Sequence, residues 1–170
     1  MKDNIPLNSD DGMVRVLMVC LGNICRSPTA HGVFLQRIES CSLQNKILVD
    51  SAGTGDWHVG SPPDRRTSNA ASARGYQLEH LVARRVRQQD FFEFDYLLAM
   101  DCDNLAALES ARPSASNCRI ELFMDYAARD ENEVPDPYYS GEEGFELVLD
   151  MVEDAADGLL EALIQRHLQN

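Results

Sequence analysis

The sequence has no long apolar run and little basic charge. None of its hydrophobic stretches approaches the roughly 18 residues that a membrane-spanning helix needs, and the opening segment, MKDNIPLNSDDG, lacks the apolar core of a secretory signal. Asp and Glu number 28 against 15 Lys and Arg, so the net charge is −13. A general nucleic-acid-binding protein needs a basic surface to displace counterions. We therefore expect a cytoplasmic protein without a membrane or nucleic-acid partner.

Cysteine is sparse, and recognisable metal and cofactor motifs are missing. Five cysteines at irregular spacing do not resemble a disulfide framework and favour reduced thiols. Cys20 and Cys25 have no second ligand pair, and the four histidines are scattered, so no zinc pattern is present. The sequence also lacks a Walker A motif and the glycine fingerprint of dinucleotide-binding proteins. We expect neither a metal nor a cofactor.

Hydrophobic patterning predicts strands that alternate with helices. The predicted strands cover residues 13–19, 46–51, 94–100 and 119–123. The predicted helices cover residues 28–40, 66–74, 103–111 and 145–168. This alternation indicates an α/β fold with a parallel sheet. A chain of 170 residues is expected to form one domain, here residues 13–170 after a flexible polar tail at residues 1–12.

The segment VLMVCLGNICRSPTA joins the first predicted strand to the first helix, and it carries Cys20 and Arg26. Backbone N–H groups of such a loop can surround a tetrahedral oxyanion at a helix N-terminus, where Gly22 and Asn23 permit unusual backbone angles. Arg26 would bind two oxygens of the anion, and Cys20 is expected to ionise readily in this positive field. Ser27, the predicted helix cap, could donate to the thiolate. The spacing alone also fits a buried free cysteine near a surface arginine.

Several segments resemble one known family, the low-molecular-weight protein tyrosine phosphatases. VCLGNICRSP resembles its signature loop, and VDSAGTGDWHVGSPPD, FDYLLAMD and VPDPYY resemble its second strand with the following loop, its third strand and its Asp-Pro acid loop, in that order. The resemblance runs from Val14 to the C-terminus. It implies a three-layer α/β/α fold with a four-stranded parallel sheet and a phosphate-binding loop between the first strand and first helix. It also implies a phosphatase that needs no metal.

The resemblance implies a role for each matched residue. Cys20 would be the nucleophile, Arg26 would hold the phosphoryl group, and Asp136 would be the general acid. The remaining residues of the phosphate-binding loop would be Leu21, Gly22, Asn23, Ile24, Cys25 and Ser27. The residues that brace this loop would be Asn23 and Ser51. The walls of the substrate pocket would be Leu21, Trp57, Tyr138 and Tyr139.

The implied substrate is phosphotyrosine in a protein, with inorganic phosphate as product and a monomer or weak dimer as the acting species. Relatives that act on phosphoarginine carry threonine in the loop, so Ile24 favours phosphotyrosine. Cys25 would be a redox partner that protects Cys20 as a disulfide.

Two alternatives stay open at this point. The first is an arsenate reductase on the same fold, although such relatives carry a close cysteine pair and Cys102 and Cys118 are sixteen positions apart. The second is a non-catalytic phosphoprotein-binding module, which would be expected to lose Cys20 or Asp136.

Overall fold

Four parallel strands form the sheet that the sequence predicts, in the order β2-β1-β3-β4. The computed structural model describes residues 5–169. Its strands are β1 Val14–Cys20, β2 Ile47–Gly53, β3 Tyr96–Ala99 and β4 Arg119–Leu122. Its α-helices are α1 Arg26–Ser40, α2 Arg65–Ala73, α3 Asp90–Glu93, α4 Cys102–Ala111 and α5 Glu142–Leu163. A 3-10 turn at Phe123–Tyr126 follows β4, and a π-helical turn at Ile164–Leu168 follows α5.

Strand β1 lies inside the sheet and is buried on both faces. Val16 and Met18 pack in the cluster that includes residues of α1 and α5, whereas Leu17 and Val19 pack in the cluster that includes residues of α3 and α4. A parallel sheet covered on both faces gives this near-continuous apolar strand. The three-layer arrangement is confirmed, and the carboxyl end of the central strand, at Cys20, is rigidly placed.

The start of α1 differs from the sequence prediction. The predicted cap, Ser27, is wrong, because the helix begins at Arg26 and its N-cap position is Cys25, which makes no side-chain cap bond. Ser27 is instead fully buried, and its hydroxyl lies beside the Cys20 sulfur. The hydroxyl that was expected to cap the helix therefore contacts the sulfur at the end of β1.

The ends of the other helices follow local signals. Asp64 caps α2 by accepting the N–H of Arg66, and Gly75, at φ 89°, lies just beyond the helix in the left-handed region that glycine favours. Helix α5 begins three residues before the predicted start, at Glu142. Helix α3 was not predicted, since its four residues show no periodic pattern.

Part of the predicted N-terminal tail contacts the domain. Residues 1–4 of this tail lie outside the described residues. The backbone N–H of Asn8 donates to the Asp95 carboxylate at 2.6 Å, and its side-chain amide donates to the Phe94 carbonyl at 2.8 Å. Within residues 5–169, no helix is both long and apolar enough to cross a membrane.

Candidate active site

The loop after β1 directs hydrogen-bond donors at the sulfur of Cys20. Cys20 is 2% exposed. Its Sγ lies 3.1 Å from the Ser27 hydroxyl and accepts the backbone N–H of Asn23 at 3.3 Å. Asn23 has φ 57°, the left-handed conformation that asparagine tolerates better than most residues, as the sequence predicts. The loop thus curls its backbone around the thiol.

The Asn23 side chain makes hydrogen bonds both within this loop and to a neighbouring segment. Its side-chain amide donates to the Ser27 hydroxyl at 2.7 Å, and its carbonyl oxygen accepts the backbone N–H of Arg84 at 3.0 Å. Asn23 is 3% exposed, so these bonds are shielded from water. They connect the loop to the segment that follows α2.

The second predicted brace, Ser51, contacts helix α1. Its hydroxyl hydrogen-bonds Nδ1 of His31 on α1 at 3.1 Å, rather than a residue of the loop. Burial lowers the pKa of His31 to about 4, so this imidazole is neutral at physiological pH. Ser51 therefore connects β2 to α1, one step away from the phosphate-binding loop.

Gly22 lies close to the His58 side chain. Its φ is not positive, so the backbone freedom that the sequence offers at this position is not used in the left-handed region. A Cβ at this position would lie 3.1 Å from Cδ2 of His58. Glycine therefore lets the loop of His58 approach the phosphate-binding loop closely.

Arg26 is buried and held by two oxygen acceptors. Its Nη1 donates to the Asp101 carboxylate at 2.5 Å and to the Val134 carbonyl at 3.1 Å, while Nη2 lies 3.8 Å from the Asp136 carboxylate. Burial opposes the charge, but the Cys20 sulfur and the Asp101 carboxylate together raise the pKa of Arg26 above its ordinary value. The guanidinium is thus charged and oriented before any substrate binds.

A cavity of about 380 Å³ brings the predicted residues together. It is lined by the proposed catalytic residues Cys20, Arg26 and Asp136. It is also lined by the predicted wall residues Leu21, Trp57, Tyr138 and Tyr139 and by the loop residues Gly22, Ile24 and Cys25. The cavity floor is therefore the phosphate-binding loop, and its walls are largely aromatic.

Cys25 has a different environment from Cys20. It is 5% exposed and packs in a small apolar cluster with Ile24, Ala83 and Phe145. Burial raises the pKa of the Cys25 thiol to about 12. At physiological pH, Cys25 is therefore an uncharged thiol.

Sequence reasoning missed two residues of this site. Asp101 follows β3 directly, at the same sheet edge as Cys20, so an acidic residue after a neighbouring buried strand was an available signal. His58 lines the cavity from an irregular loop, where no periodic pattern points to it. Both residues are identified by their spatial contacts.

Comparison with known proteins identifies the family. The family model described as low molecular weight phosphotyrosine protein phosphatase matches residues 15–170. An enzyme of that description from Schizosaccharomyces pombe is 44% identical over 134 residues, which cover 78% of this chain and 85% of the relative.

Two solved structures extend the comparison. YfkJ from Bacillus subtilis superimposes with a TM-score of 0.86 at 38% identity, covering 95% of this chain and all of that one. A Drosophila arginine phosphatase superimposes with a TM-score of 0.81 at 33% identity, covering 86% of this chain and 96% of that one. This chain therefore belongs to the low molecular weight protein tyrosine phosphatases, a family of hydrolases that act on phosphoproteins.

Proposed function

We propose that the protein hydrolyses phosphotyrosine in proteins and releases inorganic phosphate, with Cys20 as nucleophile, Arg26 as phosphoryl-binding group and Asp136 as general acid. The observation that supports these roles most directly is that residues distant in sequence meet at one cavity. Cys20 and Arg26 come from one short loop and Asp136 from a distant one, yet all three line one cavity. Nη2 of the Arg26 guanidinium lies 3.8 Å from the Asp136 carboxylate.

The first step transfers the phosphoryl group to sulfur. The Cys20 thiolate attacks phosphorus, the bond from phosphorus to the tyrosyl oxygen breaks, and Asp136 gives its proton to that oxygen. Negative charge spreads over the equatorial oxygens, where Arg26 and the loop N–H groups stabilise it. The product tyrosine leaves past the exposed walls of the cavity.

The second step releases phosphate. The Asp136 carboxylate takes a proton from a water molecule, which attacks phosphorus as the bond from sulfur to phosphorus breaks. The departing sulfur regains negative charge, and the Ser27 hydroxyl, 3.1 Å away, is placed to donate to it.

The pocket walls favour phosphotyrosine over phosphoarginine. Trp57 and Tyr138 flank the opening, and aromatic rings pack well on the ring of phosphotyrosine. Ile24 lines the cavity with an apolar side chain, which offers no acceptor to the N–H groups of a phosphorylated guanidinium. Phosphoarginine is the second candidate because one solved structure of similar fold is named an arginine phosphatase.

Hydrolysis of aryl phosphates and of phosphopeptides tests this function. Cys20→Ser is expected to abolish turnover and phosphocysteine formation, measured by rapid quench and mass mapping, while Cys41→Ser, at an exposed position, keeps full activity. Asp136→Ala is expected to lose about 10²–10⁴-fold with phosphotyrosine, whose leaving group needs a proton, and less with nitrophenyl phosphate. Turnover by Cys20→Ser, or faster hydrolysis of phosphoarginine than of phosphotyrosine, would contradict the proposal.

A redox role for Cys25 is part of the proposal. Peroxide oxidises the Cys20 thiolate to a sulfenic acid and is itself reduced; the Cys25 thiol then attacks this sulfur, a disulfide forms and water leaves. Both sulfurs belong to one loop and line one cavity. Because the Cys25 thiol is uncharged, closure is expected to be slow at neutral pH. Peptide mapping after mild peroxide measures it, and a Cys20 sulfonate without the Cys20–Cys25 bond would disprove the role.

We also propose that the protein acts in the cytoplasm, as a monomer or weak dimer. The five free cysteines fit a reducing compartment, and the net charge of −13 disfavours nucleic acid as a partner. Sedimentation velocity over a range of concentrations distinguishes a monomer from a weak dimer. A stable higher oligomer would contradict this part of the proposal.

A further inference from the structure

The segment that carries Asp136, residues 134–140, is held by hydrogen bonds at its beginning. The backbone N–H of Val134 donates to the Met100 carbonyl at 2.8 Å, and the Val134 carbonyl accepts from Arg26. Farther along, the Asp136 side chain is 50% exposed and Tyr139 is 96% exposed. A general acid on such a segment needs a second anchor if its carboxyl group is to stay over the leaving oxygen.

Arg66, on α2, supplies that anchor. Its Nη1 donates to the carbonyl of Tyr138 at 2.9 Å, and the backbone N–H of Tyr138 donates to the Asp136 carboxylate at 3.0 Å. The guanidinium carbon also lies 5.4 Å from the centre of the Tyr138 ring and 4.8 Å from that of Phe145. Arg66 thus holds the residue that in turn holds the acid.

Asp64 orients Arg66 and connects it to the phosphate-binding loop. Its carboxylate accepts from Nε of Arg66 at 3.1 Å and from Nη2 at 2.9 Å, a two-point contact that fixes the guanidinium plane. The backbone N–H of Asp64 donates to the Ile24 carbonyl at 2.8 Å. A continuous chain of hydrogen bonds therefore runs from the phosphate-binding loop to the acid.

We propose that the Asp64–Arg66 pair is a positioning device that sets the distance between Asp136 and the bound phosphoryl group. The inference rests on the proposed function, in which Asp136 protonates the leaving oxygen. Arg66 is the residue to test, because Asp64 also caps α2. Lysine cannot replace it, since an ammonium lacks the planar fork and stacks poorly on aromatic rings.

The test compares kcat/KM for good and poor leaving groups. Arg66→Gln and Arg66→Lys are both expected to lose about tenfold with phenyl phosphate and less than about twofold with nitrophenyl phosphate, because only the poor leaving group depends on a placed proton. Inhibition by inorganic phosphate, which reports on the phosphate-binding loop, is expected to stay unchanged. Arg65→Gln, the neighbouring exposed arginine on α2, is the matched control and keeps wild-type values for both substrates.

A double variant distinguishes an effect of Arg66 on the position of Asp136 from a general disturbance of the active site. In an Asp136→Ala background, Arg66→Gln is expected to cause no further loss with phenyl phosphate, because the group that it positions is gone. Equal losses for both leaving groups, or additive losses in the double variant, would overturn the inference. A wild-type protein that hydrolyses neither substrate would instead refute the proposed function itself.

Discussion

Asp101 orients the guanidinium of Arg26, the proposed phosphoryl-binding group. Its carboxylate accepts from Arg26 with one oxygen and from the backbone N–H of Asn104 with the other, so it also caps α4. Asp101→Asn keeps a good cap residue but removes the charge that opposes Arg26. We expect vanadate binding and kcat/KM to fall by about tenfold or more, since a charged hydrogen bond in a buried site becomes a neutral one. Asp103→Asn, in the exposed first turn of the same helix, is the control and changes neither quantity.

His31 makes folding stability sensitive to mild acid. Its pKa is about 4 in the folded protein because of burial, against 6.5 for a free histidine. The unfolded chain therefore binds a proton first as the pH falls, and stability is lost between pH 6.5 and about 4. By linkage the loss at pH 5 is on the order of 1–2 kcal/mol.

Urea unfolding at several pH values measures this effect. His31→Gln is expected to flatten the fall in the unfolding free energy between pH 7 and pH 5, because the group whose pKa is lowered by burial is removed. Equal slopes for His31→Gln and the wild type would show that other groups cause the loss.

The site residues that lie close together in sequence could be predicted from it. Cys20, Asn23 and Arg26 lie within seven residues of one another, and their types predict an anion-binding loop, while the family resemblance implies their roles. Asp101 and Arg66 act through partners far away in sequence, and only the folded contacts with Arg26 and Tyr138 identify them. Asp136 was reached through family resemblance, since spacing alone does not pair it with Cys20.

At the scale of elements, α5 packs so closely on the 3-10 turn after β4 that one position excludes any side chain. A Cβ on Gly158 would lie 1.8 Å from the Tyr126 carbonyl oxygen. Gly→Ala inside a helix normally stabilises by about 1 kcal/mol, but here we expect a loss of about 2 kcal/mol or more because backbone must move.

Thermal or urea unfolding of Gly158→Ala checks this expectation. Gly32→Ala in α1 is the matched control, because the one close contact of its Cβ would be with Cδ2 at the end of the Leu78 side chain rather than with backbone. The control is expected to lose less stability. A stabilised Gly158→Ala variant would show that the helix can shift without cost.

The order and type of the main elements followed from hydrophobic patterning, and the errors have local causes. Strand β1 reads as a continuous apolar run because both faces are covered. The cap of α1 was misplaced because the Ser27 hydroxyl serves the Cys20 sulfur instead of the helix. Helix α5 starts before its first apolar residue, Phe145, where no pattern marks a boundary.

For the whole molecule, the net charge of −13 opposes the approach of an acidic substrate. We expect kcat/KM at low salt to be higher for a phosphopeptide with basic flanking residues than for one with acidic flanking residues. Because salt shortens the range of this field to about 8–10 Å near physiological ionic strength, the ratio is expected to approach one as NaCl is raised. A ratio independent of salt would indicate that contacts at the cavity, rather than the overall field, select the flanking residues.

The proposed nucleophile, Cys20, and the proposed phosphoryl-binding group, Arg26, belong to one uninterrupted strand-loop-helix segment, while the proposed proton donor, Asp136, lines the same cavity from a segment distant in sequence. Phosphoryl binding with nucleophilic attack on one side, and proton transfer on the other, are therefore assigned in this proposal to separate stretches of chain. Replacing Asp136 by alanine leaves the phosphate-binding segment intact, so this variant is expected to bind its phosphorylated substrate and to turn it over slowly. The separation of these two segments thus makes the Asp136 variant suitable for capturing the natural substrate.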